Sequence, residues 1–258
     1  MSAFNAQGII LRRFLLRETS YILVVFTREF GKIKGVLKGV RAPYPQFAGN
    51  FEIFTECSLQ FYRKKKSNMD LITQCESLDF FLPVRKDIER LTYANYFIEL
   101  VDNVTAANDP NERLYDSLAG SLRLLGTESS PKRASRIFEL KILSALGLTP
   151  QVEACVLCGA LAQTGAVFSA ALGGLVCSEC SNRAVEGSMP ISLGAVNFMS
   201  KIIGCDMEKA SRIKVSGQVG RETQEALASF LEYHVGRASR SMSFLQTLER
   251  AGLTGNKK

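Results

Sequence analysis

The sequence predicts an α+β, multi-domain protein. A five-stranded β-barrel spans residues 1–80, and a mostly α-helical domain follows over 81–258, with a cysteine-stapled ribbon inserted at about 150–185. Three observations carry this. Segments rich in β-branched and aromatic residues fill residues 4–80. After Pro83 the apolar period lengthens to helical steps, and two C-x-x-C pairs stand eighteen residues apart within the helical half.

The strand segments are FNAQGIILRRFLL, TSYILVVFTREFG, KIKGVLKGV, FEIFTECSLQFY and MDLITQCESLDF, each bounded by turn chemistry. Glu29-Phe30-Gly31 joins the second to the third as a tight hairpin, and Arg63 to Asn68 form a polar tip between the fourth and fifth. Two prolines keep Arg41-Ala42-Pro43-Tyr44-Pro45 out of any central strand, because proline removes a ladder donor. Five strands with no helical segment among them favour a closed or nearly closed barrel, since closure removes exposed edges. An oligonucleotide-binding (OB) barrel is one such solution, and an SH3-like barrel is another.

In IERLTYANYFIELVDNV, apolar residues from Ile88 to Val104 recur at three- and four-residue steps, predicting a long amphipathic helix. Asn108-Asp109-Pro110 breaks it. NERLYDSLAGSLRLLG is a second helix, and KRASRIFELKILSALG, opened by Pro131, is a third. Beyond the cysteines, ISLGAVNFMSKII and RETQEALASFLEYHVG are helical again.

Composition narrows the function. The formal net charge is +7 and the pI about 9.1. Residues 1–80 carry twelve Lys/Arg against seven Asp/Glu, residues 81–190 ten against twelve, and residues 191–258 ten against six. Both ends are basic, which draws polyanions, nucleic acid above all, through counterion release. No apolar run approaches the roughly 20 residues that span a bilayer. The opening MSAFNAQGIILRRFLLRE does not read as a signal peptide, so the expectation is a cytoplasmic protein with no membrane partner. His234 is the only histidine, which leaves one candidate for the general base of a nucleophilic triad. No phosphate-binding glycine loop is present. A non-enzymatic protein is expected.

Cys155, Cys158, Cys177 and Cys180 form C-V-L-C and C-S-E-C. Two such knuckles at this separation offer four thiolates to one tetrahedral Zn²⁺. Gly159 supplies the tight turn after the first knuckle, and GAVFSAALGGLVC reads as a hairpin turning at Gly173-Gly174, the layout of a zinc ribbon. A pair of disulfides fits poorly with a cytosolic chain holding Cys57, Cys75 and Cys205 besides. A redox dithiol usually opens a helix and does not come as two copies flanking a hairpin. With all four positions filled by sulfur, one structural zinc is expected. Cys57, Cys75 and Cys205 sit in apolar patterns and read as core residues.

In KIKGVLKGVR, strand alternation sets Lys32, Lys34 and Lys38 on one face and Ile33 and Leu37 on the other, with Arg41 continuing the cationic stripe. Lysines along a strand can bind phosphates, with Tyr44 and Phe47 following as candidate base stackers. The same lysines also discourage edge pairing. Arg12 and Arg13 are adjacent, so only one of them can join the stripe.

The barrel beginning Gly8-Ile9-Ile10-Leu11, the strand after Glu18-Thr19-Ser20, Gly31-Lys32 and Lys38-Gly39-Val40-Arg41 resemble the bacterial recombination mediator family RecO. So do ELKILSALGLTPQVEACVLCG and the closing EYHVGRASRSMSFL. The resemblance implies an OB-fold, a helical C-terminal domain carrying a zinc ribbon, and binding of single- and double-stranded DNA. It further implies strand annealing, partnership with RecR and single-strand DNA-binding protein, and help in loading RecA during repair. His234 and Arg237 would then pack or cap the last helices. The loop RAPYPQF is less basic than this region often is in the family, which shifts weight to the third strand and to Lys201, Lys209, Arg212 and Lys214. The competing expectation is an RNA- or ribosome-associated zinc-ribbon protein.

Overall fold

The structure, a computed structural model, describes residues 3–40, 51–63, 69–236, 241–244 and 247. Contacts group the chain into two compact units, Met1–Gly126 with Arg240–Lys258, and Thr127–Ser239.

In the first unit, strands β1 (Ala3–Leu16), β2 (Ser20–Thr27), β3 (Gly31–Leu37), β4 (Glu56–Tyr62) and β5 (Asp70–Asp79) close a barrel in the order β1-β2-β3-β5-β4. All neighbours are antiparallel except β3 and β5, which pair in parallel. This is the five-stranded OB-type barrel. Closure depends on β1, whose first half pairs with β4 and whose second half pairs with β2. A bulge between Ile10 and Arg12 bends it from one neighbour to the other. Inward residues such as Ile10, Leu23, Val25, Ile33, Leu37, Leu59, Phe61 and Ile72 fill the interior together with Cys57 and Cys75. In the β2–β3 hairpin Gly31 has φ +67, and an added Cβ would collide with the Asp109 backbone. Only glycine fits there.

The fourth strand is shorter than its apolar run. Phe51 to Thr55 do not extend it, and Phe54 adopts φ 55. Phe51 and Phe54 are buried all the same. Their apolar character serves as a plug, fastened by Phe54 N–H to the Ile10 carbonyl (2.7 Å) and Ile10 N–H to the Thr55 carbonyl (3.0 Å). The clamp is Arg85, in the short helix α1 (Leu82–Arg85) that the sequence reading missed. Its guanidinium carbon lies 3.9 and 3.8 Å from the ring centres of Phe54 and Phe80. Arg85 also donates to the carbonyls of Phe80 and Ile53 and to Thr55 Oγ1. Burial in this sandwich lowers its pKa to about 10.

Helix α2 (Ile88–Val104) follows, opened by an Asp87 cap that accepts from Arg90 N–H at 3.0 Å. The sequence predicts an amphipathic helix, but Tyr93, Ala94, Tyr96, Phe97, Ile98, Leu100 and Val101 are all buried, so more than one face is covered. Helix α3 (Glu112–Thr127) is fixed to the barrel through Glu56, which accepts from Tyr115 Oη at 3.0 Å and pairs with Arg123. Burial, followed by the Glu56 charge, pushes the Tyr115 phenol far above its ordinary range.

The second unit holds α4 (Pro131–Ala145), a ribbon, α5 (Leu193–Ile203), α6 (Met207–Arg212) and α7 (Gly217–Val235). Helix α4 packs against α5, α6 and α7. Its centre, from Ala134 to Leu140, is buried throughout, including the ion pair Arg136–Glu139 at 2.9 Å. His234 lies 4.2 Å from the Phe230 ring centre, with Nε2 3.1 Å from the Ala170 carbonyl. This is a packing role.

Candidate metal centre and cationic barrel face

The ribbon is a three-stranded sheet ordered β7 (Gly174–Val176), β6 (Val167–Ser169) and β8 (Met189–Pro190). The sequence predicts the β6–β7 hairpin, but not β8. Gly173 lies in the turn, whereas Gly174 already opens β7. The first knuckle is held beside the hairpin by Val156 N–H on the Leu175 carbonyl (2.8 Å) and by Gln151, which both donates to and accepts from it. Gly159 closes that knuckle at φ +76, donating to the Cys155 carbonyl at 2.9 Å. The second knuckle runs from Cys177 into a 3-10 helix, Ser178–Arg183, which carries Cys180.

These turns bring the four sulfurs within 4.8 Å of one another, with Cys158 and Cys177 3.6 Å apart. Sulfurs about 2.3 Å from a tetrahedral metal would stand roughly 3.8 Å from each other, so the donor set fits one such ion. Cys155, Cys177 and Cys180 are buried and Cys158 is exposed, and all are free thiols. Burial opposes the Cys155 thiolate, but backbone N–H groups of Cys177, Leu157 and Cys158 outweigh it and hold the thiol down at about 6. Hydrogen bonds to the Cys177 and Cys158 sulfurs push Cys180 up to about 12. In Cys158 the Ala160 N–H favours the thiolate, yet the Cys155 and Cys177 side chains prevail and raise it. Thiols that share hydrogen bonds around one readily ionised sulfur have the chemistry of a site that could hold one thiolate-binding cation. Cys57 and Cys75 lie in the barrel core instead, each under 5% exposed, and Cys205 is half-buried.

On the barrel, β3 alternates as expected. Ile33 and Leu37 point inward, Lys32 and Lys34 outward, and Lys38 is exposed just past the strand's end. The lysines are not equivalent. Lys32 Nζ donates to the Asp102 carbonyl (2.7 Å) and to its Oδ1 (3.0 Å), so Lys32 is partly covered by α2. Lys34 has no ion-pair partner among the described residues. Arg41 lies outside the described residues, as do Tyr44, Phe47 and the tip residues 64–68. The bulge in β1 decides the Arg12/Arg13 question. It aligns Arg12 with Val24, which aligns with Lys34, so Arg12 shares the outer face. Arg13 instead pairs with Glu52 at 2.7 Å and lies over the Tyr21 ring. In the second unit, Lys201, Lys209, Arg212 and Lys214 are exposed, but Lys209 and Arg212 pair locally with Asp206 and Glu208.

An OB-type barrel and a helical unit that carries a four-cysteine ribbon, its sulfurs close enough to hold one metal ion, define the class of fold. Comparison with known proteins narrows it. The profile "Recombination protein O N terminal" matches residues 1–81, and "Recombination protein O C terminal" matches residues 85–243. DNA repair protein RecO of Symbiobacterium thermophilum is 34% identical over 255 residues, covering 97% of this chain and all of its own. Those of Moorella thermoacetica and Syntrophus aciditrophicus are 32% and 30% identical, covering 98% and 96% of this chain and 94% and 97% of their own. The chain belongs to the RecO family of DNA repair proteins.

Proposed function

We propose that this chain is a non-enzymatic, DNA-binding recombination mediator. In this reading it binds single- and double-stranded DNA, anneals single strands, and with RecR helps load RecA onto DNA covered by single-strand binding protein. The observation that carries the reading is family membership across both halves of the chain, joined to a barrel face that presents Lys34 and Lys38 unshielded. Lys32, Lys34, Lys38 and Arg41 are the DNA-contacting residues proposed, with Lys32 reduced by its bond to Asp102. A barrel domain of residues 1–80 and a helical domain of 81–258 belong to the same proposal, supported by the change from strands to helices at Leu82. So does a cytoplasmic, nucleoid-associated location; no described helix is long and apolar enough to cross a membrane.

The metal proposed is one structural Zn²⁺ held by Cys155, Cys158, Cys177 and Cys180. Four thiolates suit this borderline-soft ion, and when bound it cross-links the two knuckles without an open position for substrate. The chain's own contribution is to aim the N–H groups of Leu157 and Cys177 at the Cys155 sulfur.

A salt titration of single-stranded DNA binding tests the barrel face. A steep log–log slope is expected, and Lys34→Ala with Lys38→Ala should lower it by about 1.4, roughly 0.7 per lost phosphate contact. An unchanged slope refutes the assignment. Stronger binding to RNA of equal length would refute the mediator reading and favour the RNA-associated one. Capture of RecR and of the acidic tail of single-strand binding protein tests the partners.

A further inference from the structure

All seven cysteines lie among the described residues, and Cys158 alone is exposed. Cys57 and Cys75 are sealed in the barrel core, and Cys205 is half-buried. In the ribbon, Val156, Leu157, Val167, Leu172 and Ala184 pack around Cys155, Cys177 and Cys180. Three sulfurs of the cluster are thus shielded, and the fourth sits at its rim. No atom lies within 4 Å of where a side chain on Gly159 would begin, so the space beside Cys158 is open. A small oxidant therefore reaches one sulfur first. That sulfur stands 3.6 Å from the sulfur of Cys177, which belongs to the other knuckle.

We propose that the ribbon is a peroxide-sensitive staple, in which Cys158 is oxidised first and then forms a disulfide with Cys177, releasing the metal. The inference rests on the metal reading above and adds a reaction to it. The Cys158 thiolate attacks one oxygen of hydrogen peroxide, the O–O bond breaks, and hydroxide leaves Cys158 as a sulfenic acid. The Cys177 thiolate then attacks the Cys158 sulfur, forming the S–S bond and expelling a second hydroxide. The two sulfurs lose two electrons, peroxide takes them, and solvent protons turn both hydroxides into water. Two thiolates then remain, too few for a tetrahedral site closed by protein. The new bond spans the same two knuckles that the metal would join, so the β6–β7 hairpin stays fastened. A disulfide within either C-x-x-C pair would leave the knuckles unlinked. A thiol reductant reverses the exchange and restores four thiolates.

Treating the full-length, zinc-loaded protein with one equivalent of hydrogen peroxide tests this. A colorimetric chelator follows released zinc, and peptide mass spectrometry locates the oxidised cysteines. About one zinc should leave per disulfide formed, the disulfide should be Cys158–Cys177, and dithiothreitol should restore zinc binding. A 1,3-dione trap for sulfenic acid, added with the peroxide, should label Cys158 ahead of Cys155, Cys177 and Cys180. Hydrogen exchange in β6 and β7 should be slower in the oxidised protein than in the reduced protein stripped by a chelator. First labelling of another cysteine, a disulfide within a C-x-x-C pair, or zinc retained after peroxide treatment would overturn the proposal. A protein that takes up no zinc before any peroxide is added would instead overturn the metal reading beneath it.

Discussion

Asp102→Asn offers a two-sided test of the barrel face. The Asp102 side chain is 7% exposed and pairs with both Arg12 and Lys32, whose side chains are 54% and 18% exposed. Asparagine keeps the size and the backbone carbonyl that receives Lys32 at 2.7 Å, but removes the charge. Losing one charge-assisted hydrogen bond at a largely buried lysine costs about 2 kcal/mol. The mostly exposed Arg12 contact adds little, because solvent screens it. A loss of this size in a chain of this length lowers Tm by roughly 4–8 °C. The same change frees two cations of the outer barrel face and removes the acid between them. Single-stranded DNA binding should tighten, and its salt slope should steepen by about 0.7 for each new phosphate contact. The variant would thus be less stable and a tighter binder. Calorimetric melting and anisotropy titrations at several salt concentrations measure both. Unchanged stability would show that Asp102 does not hold Lys32, and a flatter slope would show that the freed cations do not face DNA.

Other expectations concern the two units separately. Cys155→Ser should lower bound metal from about one per chain and speed hydrogen exchange in the ribbon, as should a strong chelator acting on the unaltered protein; metal analysis and exchange mass spectrometry read both. Metal affinity should fall as pH falls, because protons compete for sulfurs that bind as thiolates, and an affinity that rose on acidification would exclude thiolate ligation. Glu222 is held below the usual carboxylate range by hydrogen bonds from the Ser192 hydroxyl and N–H, against burial. Its lowered folded-state pKa means that its stabilisation is complete above its unfolded value of about 4.5 and is lost as pH falls through the folded value. Glu222→Gln should flatten that acid limb in unfolding measured against pH. Arg85→Lys keeps a charge but loses the planar fork between Phe54 and Phe80, and should destabilise by about 2–3 kcal/mol in denaturant unfolding.

Much of the architecture is legible in the chain because period and turn chemistry are local. The alternation of Lys32, Ile33, Lys34 and Leu37 predicts which way each points, and it does point so. The helix from Ile88 to Val104 has the predicted ends. The four cysteines that cluster follow from spacing alone, since a C-x-x-C knuckle is itself a short-range structure. What escaped is long-range. Phe51 and Phe54 look like strand residues, because a run of apolar side chains is silent on whether it pairs or plugs. Nothing near Arg12 reveals the bulge that turns it outward, and nothing near Lys32 reveals an acid seventy residues away.

The sequence by itself determined the barrel's strands, the helical remainder and the four-cysteine set, because each shows itself as a pattern among residues a few positions apart. Only the tertiary structure decided which cations are free. It packed α2 so that Asp102 engages both Lys32 and Arg12, left Lys34 without an ion-pair partner among the described residues, and left Phe14 exposed. Ion pairing and exposure depend on what folding brings alongside a residue, and strand register sets that across the whole barrel.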